Sequence, residues 1–137
     1  MIDLYYWGTP NGHKINIALE EMGLEYQIIP INILENDQFQ SDFLAISPNN
    51  KIPAIVDQDG PHGRAISIFE SGAILQYLGR KTGLFYPTDE VKRIQVEQWL
   101  MWQMGGLGPM LGQNHHFSRF APERIAYATE RYVNESK

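Results

Sequence analysis

Pro53 stands at the head of an apolar run, Ala54-Ile55-Val56, and this placement constrains the fold more than any other feature of the chain. Inside a sheet a proline deletes a ladder donor, so Pro53 marks a strand start or a bend. With a cis Ile52-Pro53 bond, the kink turns the N–H and C=O of Ile52 outward, where an extended ligand can pair with them as an added strand. One apolar run later, Phe69-Glu70-Ser71-Gly72 opens a helix. The amides of a helix start, with the Ser71 hydroxyl, suit a carboxylate, and Glu70 beside them suits an ammonium. Each motif has a plainer reading, the Ile-Pro as a turn device and the serine as a helix cap. In this order they describe a place that holds a small peptide by both ends.

The rest of the pattern supplies a fold around that place. Ile2 to Trp7 reads as a strand, ended by Gly8-Thr9-Pro10-Asn11-Gly12. Ile15, Ala18, Leu19 and Met22 recur at the spacing of one buried helix face, and Gly23 closes that helix. A β-branched strand is expected over 24–33 and a short helix over 38–46. Two strands, 52–57 and 65–69, are joined by Asp59-Gly60-Pro61-His62-Gly63, and a helix over 71–81 buries Ile74, Leu75 and Leu78. The order β-α-β-α-β-β-α is that of an α/β thioredoxin-like domain. From Thr88 onward only helical pattern remains, interrupted by Gly105-Gly106 and Gly108-Pro109. Val91, Ile94, Gln98 and Met101 or Trp102 are expected on one helix face, and a further helix is expected near Pro122, with Ile125, Ala128 and Tyr132 on its face. Two domains follow, 1–83 thioredoxin-like and 88–137 all-α.

Composition narrows the chemistry. The 137 residues carry a formal net charge of −5 without a basic block, which argues against nucleic acid as a partner. There is no cysteine, hence no disulfide framework, no thiolate zinc site and no Cys-x-x-Cys redox pair. If the chain does thiol chemistry, a ligand brings the sulfur. The polar start reads as no signal peptide and no apolar run approaches a membrane span, so a soluble cytoplasmic protein with no membrane partner is expected. His115-His116 is no metal pair, since adjacent helix residues point apart, and no metal is expected.

A bound thiol needs activation, because an unperturbed thiol pKa of ~8.5 leaves only a few per cent thiolate at neutral pH. A donor aimed at the sulfur, with the positive end of a helix, lowers that pKa. Tyr6, Thr9 and Asn11 all lie at the end of the first strand and offer such a donor. Thr9 also reads simply as the cap of the first helix, with Pro10 at its first position.

The paired motifs at Ile52-Pro53 and Glu70-Ser71 resemble those of the cytosolic glutathione transferases, a thioredoxin-like domain followed by an all-helical one. Tyr6-Trp7 looks like the Tyr-Trp of the mu-type members. Three longer strings, Thr9-Pro10-Asn11-Gly12-His13-Lys14, Ser47 through Ile55, and Gly105 through Phe117, resemble the bacterial nu class and the related yeast nitrogen-regulating prion protein. This resemblance implies that Thr9 and Asn11 face the sulfur, with Tyr6 the alternative. It implies that Ile52 and Pro53 hold the cysteinyl part of glutathione and that Glu70 and Ser71 hold its γ-glutamyl end. It further implies contacts from Gln38, Gln103 and Arg131. By its pattern alone, Arg131 is a solvated helix arginine.

The implied activity is glutathione-dependent disulfide reduction with weak conjugation of small electrophiles, on reduced or oxidised glutathione, in a homodimer. The family continues through more helices than this chain has, so the all-α domain reads as incomplete. The alternative is a transferase-like binding or regulatory module without turnover.

Overall fold

The computed structural model of the protein describes residues 1–137, which divide into two compact units, Met1–Pro87 and Thr88–Lys137. In the first, β1 (Ile2–Tyr6) runs parallel to β2 (Tyr26–Pro30), with Ile2 opposite Tyr26 and Tyr6 opposite Pro30. A parallel pair requires a crossover, and α1 (Pro10–Glu21) supplies it. On the other side of β1 lies antiparallel β3 (Ala54–Asp57), followed by antiparallel β4 (Ile66–Phe69), in the order β2-β1-β3-β4. Helix α3 (Ser71–Thr82) follows β4. This is the thioredoxin-like unit that the element order implies.

Alternation along the strands divides the core. Ile2, Leu4 and Ile55 face Ile15 and Leu19 of α1 and Ile74 and Leu78 of α3, and all of these side chains are buried. On the opposite face Ala54 packs with Ile31 and Phe43, joined by Tyr5, Ile46 and Ile52. Phe43 comes from a one-turn helix, α2 (Ser41–Leu44). The helix expected over 38–46 is therefore split into a 3-10 turn, Asp37–Phe39, and α2, because Gln40 between them is extended.

Strand β2 is also shorter than the expected 24–33. Met22 and Gly23 end α1 in a Schellman turn, with Gly23 left-handed (φ 64°), its N–H donating to the Glu20 carbonyl and the Leu24 N–H donating to the Leu19 carbonyl. That commits Leu24 to the helix end. At the other end, Pro30 has no N–H, which the edge position of β2 tolerates.

The helical unit contains α4 (Glu90–Trp102), α5 (Gly108–His115) and α6 (Ala126–Glu135). Two five-residue π turns, Gln103–Leu107 and His116–Phe120, join α4 to α5 and extend α5. The first contains the Gly105-Gly106 pair. Asp89 caps α4, its carboxylate accepting from the Lys92 N–H at 3.0 Å. Phe117 stacks on Tyr132 of α6 with 5.5 Å between ring centroids and 7° between planes. One expectation changes here. The last helix begins at Ala126, since Ile125 is still extended, so Pro122 lies in the loop before it. Val91, Ile94, Met101 and Trp102 all lie within the single helix α4, as their spacing implies, and are exposed. No helix is long and apolar enough to cross a membrane.

At the far end of β3 the carboxylate of Asp57, 1% exposed, is fully engaged. It accepts from the Tyr77 hydroxyl at 2.6 Å, from Lys81 Nζ at 2.8 Å and from the Asp59 N–H at 2.9 Å. Burial pushes the Asp57 pKa up, but the bonds from Lys81, Tyr77 and the Asp59 amide outweigh it and hold the group below its ordinary value. The same burial and the carboxylate beside it push Tyr77 up. Asp57→Ala is expected to destabilise the protein by about 2 kcal/mol at neutral pH, measured by urea unfolding, because it removes the buried acceptor of the Tyr77 hydroxyl and the Asp59 amide and leaves Lys81 only Asp59 to bind. A depressed carboxylate stabilises above its unfolded pKa of ~3.9 and loses that contribution as pH falls through the folded value. The gap between wild type and variant should therefore narrow on acidification below that point.

Candidate functional site

The register brings the sequence motifs to one end of the sheet. Tyr5 pairs with Ala54 and Ala54 with Phe69, so the chain leaves β1, enters β3 and leaves β4 at the same edge. The segments there carry Thr9 and Asn11, Ile52 and Pro53, and Glu70 and Ser71. Neighbouring strands lie ~4.8 Å apart, so β1 to β4 spans about 10 Å, the reach of an extended tripeptide. Helices α1 and α3 both start at this edge. Each N-terminus contributes roughly half a positive charge to it.

Thr9 is the N-cap of α1, extended at φ −120° and ψ 160°, with its Oγ1 accepting from the Gly12 N–H at 3.3 Å. An accepting hydroxyl keeps its own O–H to donate, so the cap leaves one donor. Pro10 at the first helical position presets φ for the turn. Asn11 follows with an exposed side chain. The Tyr6 hydroxyl, offered by sequence as the alternative donor, is hydrogen-bonded to Nδ1 of His13 at 2.9 Å.

The Ile52-Pro53 bond is cis. Ile52 makes no hydrogen bond to the rest of the backbone, whereas Ala54 is already in the ladder. The loop before it is held by Ser47, which is buried and donates its hydroxyl to the Lys51 carbonyl at 2.8 Å. Sequence reasoning assigned Ser47 no role. A serine heading Ser47-Pro48-Asn49-Asn50 is the one signal that would have found it, since it is a turn-forming cluster.

Glu70 has φ 71° and ψ 113°, a left-handed backbone outside the small αL basin open to residues with a Cβ. Its carbonyl accepts from the Ile74 N–H at 2.9 Å, so the strained residue starts the helix. Ser71, 4% exposed, is the first residue of α3. Lys14 of α1 senses this corner: burial lowers its pKa, and the Glu70 carboxylate partly restores it. That pairing links residues far apart in the chain and leaves no local pattern.

Gln38, in the 3-10 turn, donates from Nε2 to the Ile33 carbonyl at a long 3.4 Å, and its Oε1 is buried with no partner. A buried acceptor left unpaired costs about 1–3 kcal/mol. The other two expected contacts lie in the helical unit. Gln103 opens the first π turn, with its carboxamide folded over Gly108, and Arg131 is exposed on α6. No group of three or more His, Cys, Asp or Glu is arranged to hold a metal ion.

With this geometry in place, comparison with known proteins is direct. Residues 2–80 match the family of the glutathione S-transferase N-terminal domain, and the chain belongs to the glutathione S-transferase family. The disulfide-bond oxidoreductase YfcG of Escherichia coli is 57% identical over 140 residues, covering 100% of this chain and 64% of its own length. A glutathione transferase family member from Pseudomonas fluorescens, solved with two glutathione bound, superposes with a TM-score of 0.95 at 47% identity, over 98% of this chain and 60% of that one. A Pseudomonas putida glutathione transferase, solved with one glutathione disulfide bound per subunit, gives a TM-score of 0.94 at 48% identity and the same coverages, 98% and 60%. The chain thus spans a little under two thirds of the length of these relatives.

Strain at Glu70 has a measurable consequence. Glu70→Gly is expected to stabilise the protein by about 1 kcal/mol, the left-handed strain relieved being partly offset by the extra freedom of glycine when unfolded. A urea midpoint that rises with unchanged slope would show it, and a fall would remove the assignment of strain.

Proposed function

We propose that the protein binds glutathione at this edge and uses it to reduce disulfides, with weak conjugation of electrophiles as a side activity. The observation that carries the reading is the convergence of the unpaired Ile52 backbone, the strained Glu70 beside Ser71, and the Thr9-Asn11 helix start on one sheet edge. The cysteinyl backbone of glutathione would pair with Ile52 next to Pro53 as an added strand. Its γ-glutamyl carboxylate would meet Ser71 and the first amides of α3, with its ammonium on Glu70. Gln38 would lie near the glycine or cysteinyl backbone of the same peptide. Gln103 and Arg131 complete the proposed contacts, the latter as a bidentate partner for a carboxylate.

Thr9 and Asn11 would donate to the sulfur and favour its thiolate. That thiolate attacks one sulfur of a disulfide, breaking the S–S bond. The departing thiolate takes a proton, and a mixed disulfide with glutathione remains. A second glutathione attacks that mixed disulfide, releasing the other thiol and oxidised glutathione. Both reducing sulfurs come from glutathione, which suits a chain without cysteine. The relatives named for disulfide-bond oxidoreduction, and those solved with glutathione or its disulfide, support this chemistry.

The reading includes a cytoplasmic location, where the glutathione pool is reducing. It also includes a homodimer, a glutathione-binding domain over 1–83 and an all-helical domain beginning at 88. Calorimetric titration of the protein with reduced glutathione is expected to saturate, and Glu70→Ala and Ser71→Ala should each weaken binding at least tenfold, the scale of one charge-assisted hydrogen bond. Thr9→Ala and Asn11→Ala should spare binding and lower the disulfide reduction rate. Binding without turnover would instead establish the regulatory module, and absence of binding by the folded protein would remove both.

A further inference from the structure

We propose that Tyr6 and His13 form a latch that pins the first turn of α1 to the end of β1, and so set where Thr9 and Asn11 stand against the glutathione sulfur. This rests on the reading of Thr9 and Asn11 as sulfur donors. A hydrogen bond of 2.9 Å joins the Tyr6 hydroxyl to Nδ1 of His13, and the two rings meet edge to face at 5.8 Å. Gly12 lets the turn close: a side-chain carbon there would stand 2.4 Å from the Trp7 carbonyl oxygen and 3.0 Å from two Tyr6 ring carbons. The Trp7 carbonyl also accepts from the Thr9 N–H at 2.7 Å.

The turn so anchored is the one that carries both donors. The His13 N–H donates to the Thr9 carbonyl at 2.9 Å, and the Gly12 N–H to the Thr9 hydroxyl. Tyr6 itself packs on the core face of β1, against the layer of α1 and α3. With its hydroxyl engaged by His13, Tyr6 is a positioning residue, as is His13. A hydrogen bond to sulfur weakens steeply with misalignment, so a first turn that drifts by a few tenths of an ångström loses activation before it loses binding.

The test compares Tyr6→Phe, His13→Ala and the double variant in the intact protein. The thiol pKa of bound glutathione is followed by thiolate absorbance, alongside the glutathione Kd. Tyr6→Phe keeps the ring against Gly12, and His13 is exposed, so the urea midpoint serves as the folding control. Each single variant is expected to cut the thiolate fraction at neutral pH about threefold, roughly half a pKa unit, with Kd changed less than twofold. The double variant should match the singles, since one latch cannot be broken twice. A large effect of Tyr6→Phe with none from His13→Ala would overturn the latch and make Tyr6 the sulfur donor. Additive effects, or an unchanged thiol pKa in both, would also overturn it. If Thr9→Ala and Asn11→Ala leave the thiol pKa untouched as well, the donor reading beneath it falls too.

Discussion

Strand β3 is the constraint on which the rest of the structure depends. It is four residues long, it pairs antiparallel with β1 on one side and β4 on the other, and Ala54, Ile55 and Asp57 are buried. Because Ala54 and Ile55 serve opposite faces, a slip of one residue would exchange the two small cores. The register so enforced puts Tyr5, Ala54 and Phe69 abreast. The segments carrying Thr9 and Asn11, Ile52 and Pro53, and Glu70 and Ser71 hang from that row, so this part of the proposed site is a consequence of core packing rather than of loop design.

The two ends of β3 are treated oppositely. At Asp57 a buried carboxylate is saturated by a lysine, a tyrosine and a backbone amide. At Ile52 the backbone is left out of the ladder, Glu70 holds an unfavourable left-handed conformation, and Gln38 keeps a buried oxygen without a partner. Such features persist only where the surrounding structure over-determines them. Stability is concentrated at one end of the sheet, and unmet hydrogen-bonding capacity at the other.

This division also explains what was legible in the sequence. Pro53 and the Glu70-Ser71 helix start act through local backbone chemistry, so their placement could be read directly, as could the periodic faces of α1 and α3. The cap role of Thr9 followed from Pro10 for the same reason. The Asp57-Tyr77-Lys81 cluster, the Lys14-Glu70 pairing and the Tyr6-His13 bond depend on how the layers close, which no local period encodes. A boundary failed where a helix end claimed a residue that the strand pattern had taken, as the Schellman turn claims Leu24. What covers a helix face is a further matter that spacing does not encode: Val91, Ile94, Met101 and Trp102 of α4 share the expected apolar spacing and are exposed.

Electrostatics sharpens the case for a local, donor-built site. The chain carries a formal net charge of −5, so at long range it repels an anionic peptide such as glutathione. At physiological ionic strength that repulsion fades beyond about 8 Å, whereas the starts of α1 and α3 act at contact distance. Two helix N-termini lie on one edge, with a hydroxyl and a carboxamide at the first and a buried serine at the second, so donors and positive helix ends face the place where a thiolate and a carboxylate would sit. A sulfur that ionises in such a field needs no cysteine neighbour and no metal. What it needs is that the donors stay in register with it, and that requirement falls on the packing of Tyr6 and Gly12 beneath the first turn of α1.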